Sequence, residues 1–135
     1  MQCIEALLIS RGLIEANKKV RSSLRLFHLE GLKNFVSTEL NRAQSRKLST
    51  IIALLSGSSV VCLDESTTGM DPASRRQVWR VLHEAKAGRS IIFITIFLEE
   101  ADFLSDRILF LNEGEILIAG SSMFLRKTLG SRGAT

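Results

Sequence analysis

Apolar residues recur at helical spacing through the first 57 positions: Ile4, Leu7 and Leu8, then Val20, Leu24 and Phe27, then Leu48, Ile51, Ile52 and Leu55. Gly12, Gly31 and Gly57 fall where these patterns break, as suits helix ends. Beyond Gly57 the period changes. Val60-Val61-Cys62-Leu63 and the run from Ser90 to Thr95 are short apolar stretches that read as strands buried on both faces. Between them, Asp71-Pro72 starts a helix, with Asp as N-cap and Pro at the first helical position. Val78, Val81, Leu82 and Ala85 form its stripe, and Gly88 closes it. Strand, helix and strand with this crossover length form a parallel βαβ unit. A helix over roughly 97–105 leads to a strand at 108–111, a turn at Asn112-Glu113-Gly114 and a strand at 116–118. Ser121 caps a last short helix carrying Met123, Phe124 and Leu125. The class is α/β, divided into a helical part at 1–57 and a strand-containing part at 58–135.

Composition narrows the picture. With 135 residues, 45% of them apolar and 24% charged, the chain is globular and holds at most one domain or a piece of one. No apolar run approaches the roughly 20 residues of a membrane span, and the amino terminus does not read as a signal peptide. A cytosolic setting is expected. Residues 1–58 carry nine Lys/Arg against four Asp/Glu, and residues 59–135 nine against ten. The basic half has only Phe27 and Phe35 as aromatics, so it reads as a solvated helical face and not as a nucleic-acid surface. Cys3 and Cys62 make neither a disulfide framework nor a zinc site and are expected to be buried thiols.

Chemistry concentrates after the first strand. Ligands of open parallel sheets collect at the carboxyl ends of the strands, where Leu63-Asp64-Glu65 places two acids. Such acids can also do no more than end a strand and favour a following helix. The run Glu65-Ser66-Thr67-Thr68-Gly69-Met70-Asp71-Pro72, with Arg75-Arg76 and Trp79 beyond, resembles the Walker B to D-loop segment of ATP-binding cassette (ABC) transporters, most of all the lipid-handling subfamily A. Leu40-Asn41-Arg42-Ala43-Gln44 stands in the place of that family's Leu-Ser-Gly-Gly-Gln-type signature, and Arg46-Lys47-Leu48-Ser49 keeps its tail. The stretches Glu99 to Asp102, Ser105 to Arg107 and Ala119 to Leu125 look like the end of the same domain.

The resemblance implies a partial P-loop NTPase fold of the ABC ATPase type, a parallel sheet with flanking helices and a helical subdomain in front. It implies ATP and Mg²⁺ as cofactors, Asp64 as the magnesium acid, Glu65 as the catalytic base and Asp71 as the D-loop acid. Leu40, Asn41, Arg42, Ala43 and Gln44 would face a partner's nucleotide, and Ile96 would hold the switch position next to the γ-phosphate. The implied partners are a second nucleotide-binding domain and the transmembrane domains of a transporter, on the cytoplasmic side of a membrane. A DNA-maintenance ATPase would carry long heptad arms near the signature, and none is present.

The departures are equally specific. No Gly-x-x-x-x-Gly-Lys-Ser/Thr occurs, and no glycine is followed by lysine, so the amides and lysine that cradle phosphates are missing from these residues. Arg42 and Ala43 stand where the family has two glycines and Ser66 where it has a proline; Ile96 stands where most of the family has a histidine and some subfamily A members resemble Thr-Gln-Phe, so Thr95-Ile96-Phe97 looks like a further step from an already altered pattern. The family strand that leads into the phosphate loop runs beside those at 90–95 and 107–112. Without it, strand edges and apolar faces are expected to lack cover. The expectation is a cassette piece that hydrolyses nothing alone, or a non-catalytic module that docks on another cassette.

Overall fold

The computed structural model describes residues 13–130, with side chains described from 18 to 128. The early apolar cluster Ile4, Leu7 and Leu8, Gly12 and Cys3 lie outside the described residues. Two compact units are present, the first ending at Ile94 and the second beginning at Thr95.

The first unit opens with α1 (Leu13–Leu26). This helix stops five residues before Gly31. His28 takes a left-handed φ of 55°, Leu29 N–H donates to Leu24 O at 2.8 Å, and His28 N–H donates to Arg25 O at 3.0 Å. That pair of bonds is a Schellman end with histidine in the place usually held by glycine, and both Leu24 and Leu29 are buried. Two short 3₁₀ turns, Glu30–Leu32 and Ser37–Glu39, lead to α2 (Arg42–Leu55). Asn41 caps α2 reciprocally: its Oδ1 accepts from Gln44 N–H and Gln44 Oε1 accepts from Asn41 N–H, each at 2.9 Å.

Strand β1 (Val60–Asp64) follows, then α3 (Pro72–Ala85) and β2 (Ser90–Ile94). The strands pair in parallel from Val60 with Ser90 to Asp64 with Ile94, which is the expected βαβ unit. Gln77 on α3 ties the three helices together, accepting from Lys47 Nζ at 2.9 Å and donating to Leu26 O at 2.8 Å. The core combines Phe27, Ile51, Val61, Leu63, Met70, Val78, Trp79 and Leu82.

The expectation that both strands bury both faces is not met. Val61 and Leu63 are buried and Ile91 and Phe93 half-buried, whereas their neighbours Val60, Cys62, Ile92 and Ile94 are exposed. Residues paired across a parallel sheet share a face, so one face is covered and the other open. Cys62 accordingly sits on the open face as an exposed free thiol, contrary to its expected burial.

The second unit contains α4 (Leu98–Leu104), β3 (Ile108–Asn112), β4 (Glu115–Gly120) and α5 (Ser122–Gly130). β3 and β4 form an antiparallel hairpin closed by Glu113 at φ 48° and Gly114 at φ 82°, the double left-handed turn suited to a two-residue loop. Ser121 Oγ accepts from Phe124 N–H at 3.3 Å at the start of α5, as the sequence suggests. Asp102 accepts from Ser122 Oγ and from Arg126, joining α4 to α5. Among the described residues β2 pairs only with β1 and β3 only with β4. Leu109, Leu111, Ile116 and Leu117 of the hairpin are exposed, so apolar strand faces without cover occur in both units.

Candidate functional site

Asp64 ends β1 and Glu65 turns the chain away from the sheet. Glu65 N–H still donates to Ile94 O at 2.9 Å, so the acid pair is anchored to the end of β2. Glu65 has φ 44°, a left-handed conformation that costs a non-glycine residue roughly 1–3 kcal/mol when the surroundings impose it. Two contacts impose it here. Arg46 of α2 donates through Nη1 to the carbonyls of both Asp64 and Glu65, each at 3.2 Å. Thr68 donates its N–H to Glu65 O at 3.1 Å and its hydroxyl to Glu65 Oε2 at 3.2 Å. The carboxylate of Glu65 is thus oriented, while that of Asp64 stays exposed.

The loop continues through Thr67, fully buried, and Gly69, whose φ of 80° favours glycine. A β-carbon built at Gly69 would stand 3.7 Å from Arg42 Cδ. The first residue of α2 therefore leans on the loop that follows the acids, and Arg42 and Asp64, 22 positions apart in sequence, belong to one site. Asp71 closes the loop and caps α3, its Oδ1 accepting from Ala73 and Ser74 N–H at 3.0 Å each. Hydrogen bonds from the Ser74 side chain and backbone hold the Asp71 carboxyl below the usual carboxylate range. Lys47, almost one turn past Gln44, is shifted below the ordinary lysine value by burial, against a smaller opposing pull from the Asp71 charge.

A cavity of about 560 Å³ opens between α2 and β1, lined by Leu40, Arg42, Arg46, Asp64 and Ser66 among others. Leu40, Ala43 and Gln44 are half-buried and Asn41 exposed, with Asn41 and Gln44 occupied in the helix cap. In the second unit, Thr95 donates its hydroxyl to the buried Glu100 at 2.5 Å and accepts from Phe97 N–H at 3.0 Å. Ile96 between them is 73% exposed. Sequence reasoning gave no role to Arg46 or Thr68. The Arg46 contacts span 18 and 19 positions and leave no local signature. Thr68, three residues from Glu65, could have been found from its spacing.

ATP-binding cassette sub-family A member 9 of Mus musculus is 41% identical over 116 residues, 86% of this chain and 7% of that protein. The chain is homologous to the ATP-binding cassette proteins of subfamily A. A second subfamily A relative, the phospholipid-transporting ATPase ABCA3 of Homo sapiens, is 43% identical over 114 residues, 84% of the chain and 7% of ABCA3. A solved structure described as the ATP binding subunit of an ABC transporter superposes with a TM-score of 0.80 at 25% identity, over 98% of this chain and 56% of the solved one. The ABC ATPase fold expected from the motifs is therefore the observed one. The chain spans about 7% of the length of the curated subfamily A relatives it matches. No family model matches the sequence. No helix among the described residues is long and apolar enough to cross a membrane.

Cassettes of this family use nucleotide and Mg²⁺, and the donor set decides how far these residues fit them. Asp64 offers one exposed carboxylate, and no group of three or more His, Cys, Asp and Glu among the described residues could hold a metal ion. Nothing in the sequence supplies the glycine-rich amides and lysine that cradle phosphates. The amino-terminal end of α2 is closed by its own Asn41–Gln44 cap and carries the Arg42 side chain over Gly69. These residues supply one carboxylate suited to Mg²⁺ and no glycine-rich phosphate cradle.

Proposed function

We propose that this chain is the signature-to-switch portion of a subfamily A cassette, silent as an ATPase by itself, whose acid pair works only with a phosphate loop supplied from elsewhere. One observation carries the reading: Arg42, at the start of α2, leans on the loop directly behind the Asp64-Glu65 pair. In the family's arrangement these are the two surfaces of one cassette that serve two different nucleotides. Asp64 takes the role of magnesium acid, Glu65 that of catalytic base, with Thr68 orienting its carboxylate. Asp71 and Leu40 to Gln44 face a second nucleotide-binding domain. Ile96 occupies the switch position, where its side chain can neither donate to a γ-phosphate nor align water.

The process served is ATP-driven transport across a membrane, with a phospholipid or other lipid as cargo, from its cytoplasmic side. The name of the ABCA3 relative supports the lipid class. A docking module without turnover is the form this function takes for the 135 residues alone, because a general base contributes its 10²- to 10⁴-fold only on positioned substrate.

The test is an active subfamily A cassette in which the homologous stretch is replaced by residues 40–130 of this chain. Hydrolysis by the chimera is expected to be slow. Arg42→Gly with Ala43→Gly should restore ATP-dependent dimerisation by removing side chains from a backbone approach. Ile96→His should raise turnover by about 10²- to 10³-fold, the worth of one preorganised donor. Glu65→Gln in the repaired chimera should abolish the gain. A chimera that turns over equally fast with and without the repairs contradicts the reading.

A further inference from the structure

One carboxyl group in the second unit has no part in the cassette reading. Glu100, the third residue of α4, is 0% exposed, whereas Leu98 and Glu99 before it are exposed. Burying a carboxyl group is unfavourable unless a donor meets it, and an apolar residue would fill the same space without that penalty. The donor is Thr95, whose hydroxyl reaches Glu100 Oε2 at 2.5 Å. The same hydroxyl oxygen accepts from Phe97 N–H at 3.0 Å. Phe97 is fixed from its other side as well, its carbonyl accepting from Glu100 and Ala101 N–H at 3.1 Å each. Both neighbours of residue 96 are therefore anchored through one hydroxyl and one buried carboxyl group. The residue they bracket, Ile96, is 73% exposed.

We propose that Thr95 and Glu100 are positioning residues, a clasp that fixes the backbone at 96 and holds the side chain of that position outward. The proposal rests on the reading of position 96 as the switch and extends it, because it separates the aim of the switch from its chemistry. Ile96 carries no donor, and the clasp that would aim one is intact. Two hydrogen bonds on one hydroxyl fix the Thr95 rotamer: Glu100 takes its proton side and Phe97 N–H its lone-pair side. The backbone between Thr95 and Phe97 then has little freedom left. A group held in direction before it meets its ligand loses little orientational entropy on contact, which is the condition under which one donor is worth a large factor in rate. The consequence is an interaction between positions: Ile96→His repairs the switch only while Thr95 and Glu100 hold it.

The test uses the full chain, isotope-labelled for nuclear magnetic relaxation. Thr95→Val removes the hydroxyl and keeps the side-chain shape, and Thr95→Ser keeps the hydroxyl. The wild type should hold the Ile96 N–H at an order parameter of about 0.85, Thr95→Val should lower it towards about 0.6, and Thr95→Ser should restore it. Glu100→Leu should act like Thr95→Val, whereas Glu100→Gln, whose amide oxygen still accepts the hydroxyl, should act like the wild type. Ser105 N–H, which bonds Ala101 O at the far end of α4, should keep its value throughout. Ile96 order unchanged in Thr95→Val, or Ile96 and Ser105 loosened alike, overturns the proposal. Where Glu100→Leu fails to fold, the two threonine variants decide. In the Ile96→His chimera, Thr95→Val should lower kcat about tenfold at constant KM, the worth of one hydrogen bond, and Thr95→Ser should rescue it. A loss carried by KM alone overturns the aiming role. No gain from Ile96→His counts against the switch reading, and the relaxation result then decides the clasp by itself.

Discussion

The two faces of the β1–β2 sheet are made from alternate residues of the same two apolar runs, and their surroundings differ sharply. Val61 and Leu63 are 4% and 7% exposed, whereas Ile92 and Ile94 are 55% and 57% exposed. Side-chain chemistry does not separate these positions, since all are aliphatic. The covered face adjoins a core to which Val78, Trp79 and Leu82 of α3 contribute, and the open face has no such layer among the described residues. An apolar run reports what a strand can bury. What it does bury depends on which other elements are present.

Substitution should separate the faces most strongly in stability. Leu82→Ala, at a site 1% exposed, should cost roughly 2–5 kcal/mol in denaturant unfolding through lost burial and a residual cavity. Ile92→Ala on the open face should cost well under 1 kcal/mol, in line with surface positions. Equal losses at the two sites would show that the open face is covered in solution.

The next effect is at α2, where the reciprocal cap joins the core-side helix to the candidate site. Asn41→Ala should lower stability by about 1 kcal/mol. Asn41→Asp should preserve most of it, because the replacement still accepts from Gln44 N–H. Equilibrium unfolding of the two variants would distinguish capping from a role in side-chain packing.

Ile92→Lys with Ile94→Lys addresses the open face from the other side. An apolar parallel strand with a free edge is a template for association, and charge on it opposes pairing. The pair should leave the unfolding midpoint nearly unchanged and lower the concentration-dependent scattering of the purified chain. Unaltered scattering would place self-association elsewhere.

The smallest effect is a pH dependence. The Asp71 carboxyl titrates below its ordinary value because of hydrogen bonds from the Ser74 side chain, then the Ser74 and Ala73 backbone. Its stabilisation is fully present above the unfolded carboxylate pKa of about 3.9 and is lost as pH falls from there through the lower folded value. Asp71→Asn keeps a cap but removes the charge, so the melting temperature of the variant should fall less steeply than the wild type's over that acid interval. Parallel acid limbs would contradict the assignment.

Legibility followed the range of each interaction. Asp71-Pro72 announces the start of α3, and Glu113-Gly114 announces a tight turn, because each feature is decided within four residues. The end of α1 misled for the same reason: Gly31 looked like the stop, but the buried pair Leu24 and Leu29 draws the chain round at His28. The acid pair was visible at the end of an apolar strand, and its setting came from the motifs around it. Invisible were the Arg46 bonds to the Asp64 and Glu65 carbonyls and the exposure of Cys62. The first is a contact between two elements, and the second depends on what lies above the sheet.

In the proposed function Asp64 and Glu65 await a phosphate cradle that these residues do not contain. Titration of the 135-residue chain with a fluorescent ATP analogue, with and without Mg²⁺, tests it most directly. The account predicts no saturable binding at micromolar nucleotide and no change on Asp64→Asn. Micromolar, magnesium-dependent affinity that disappears in Asp64→Asn would contradict it.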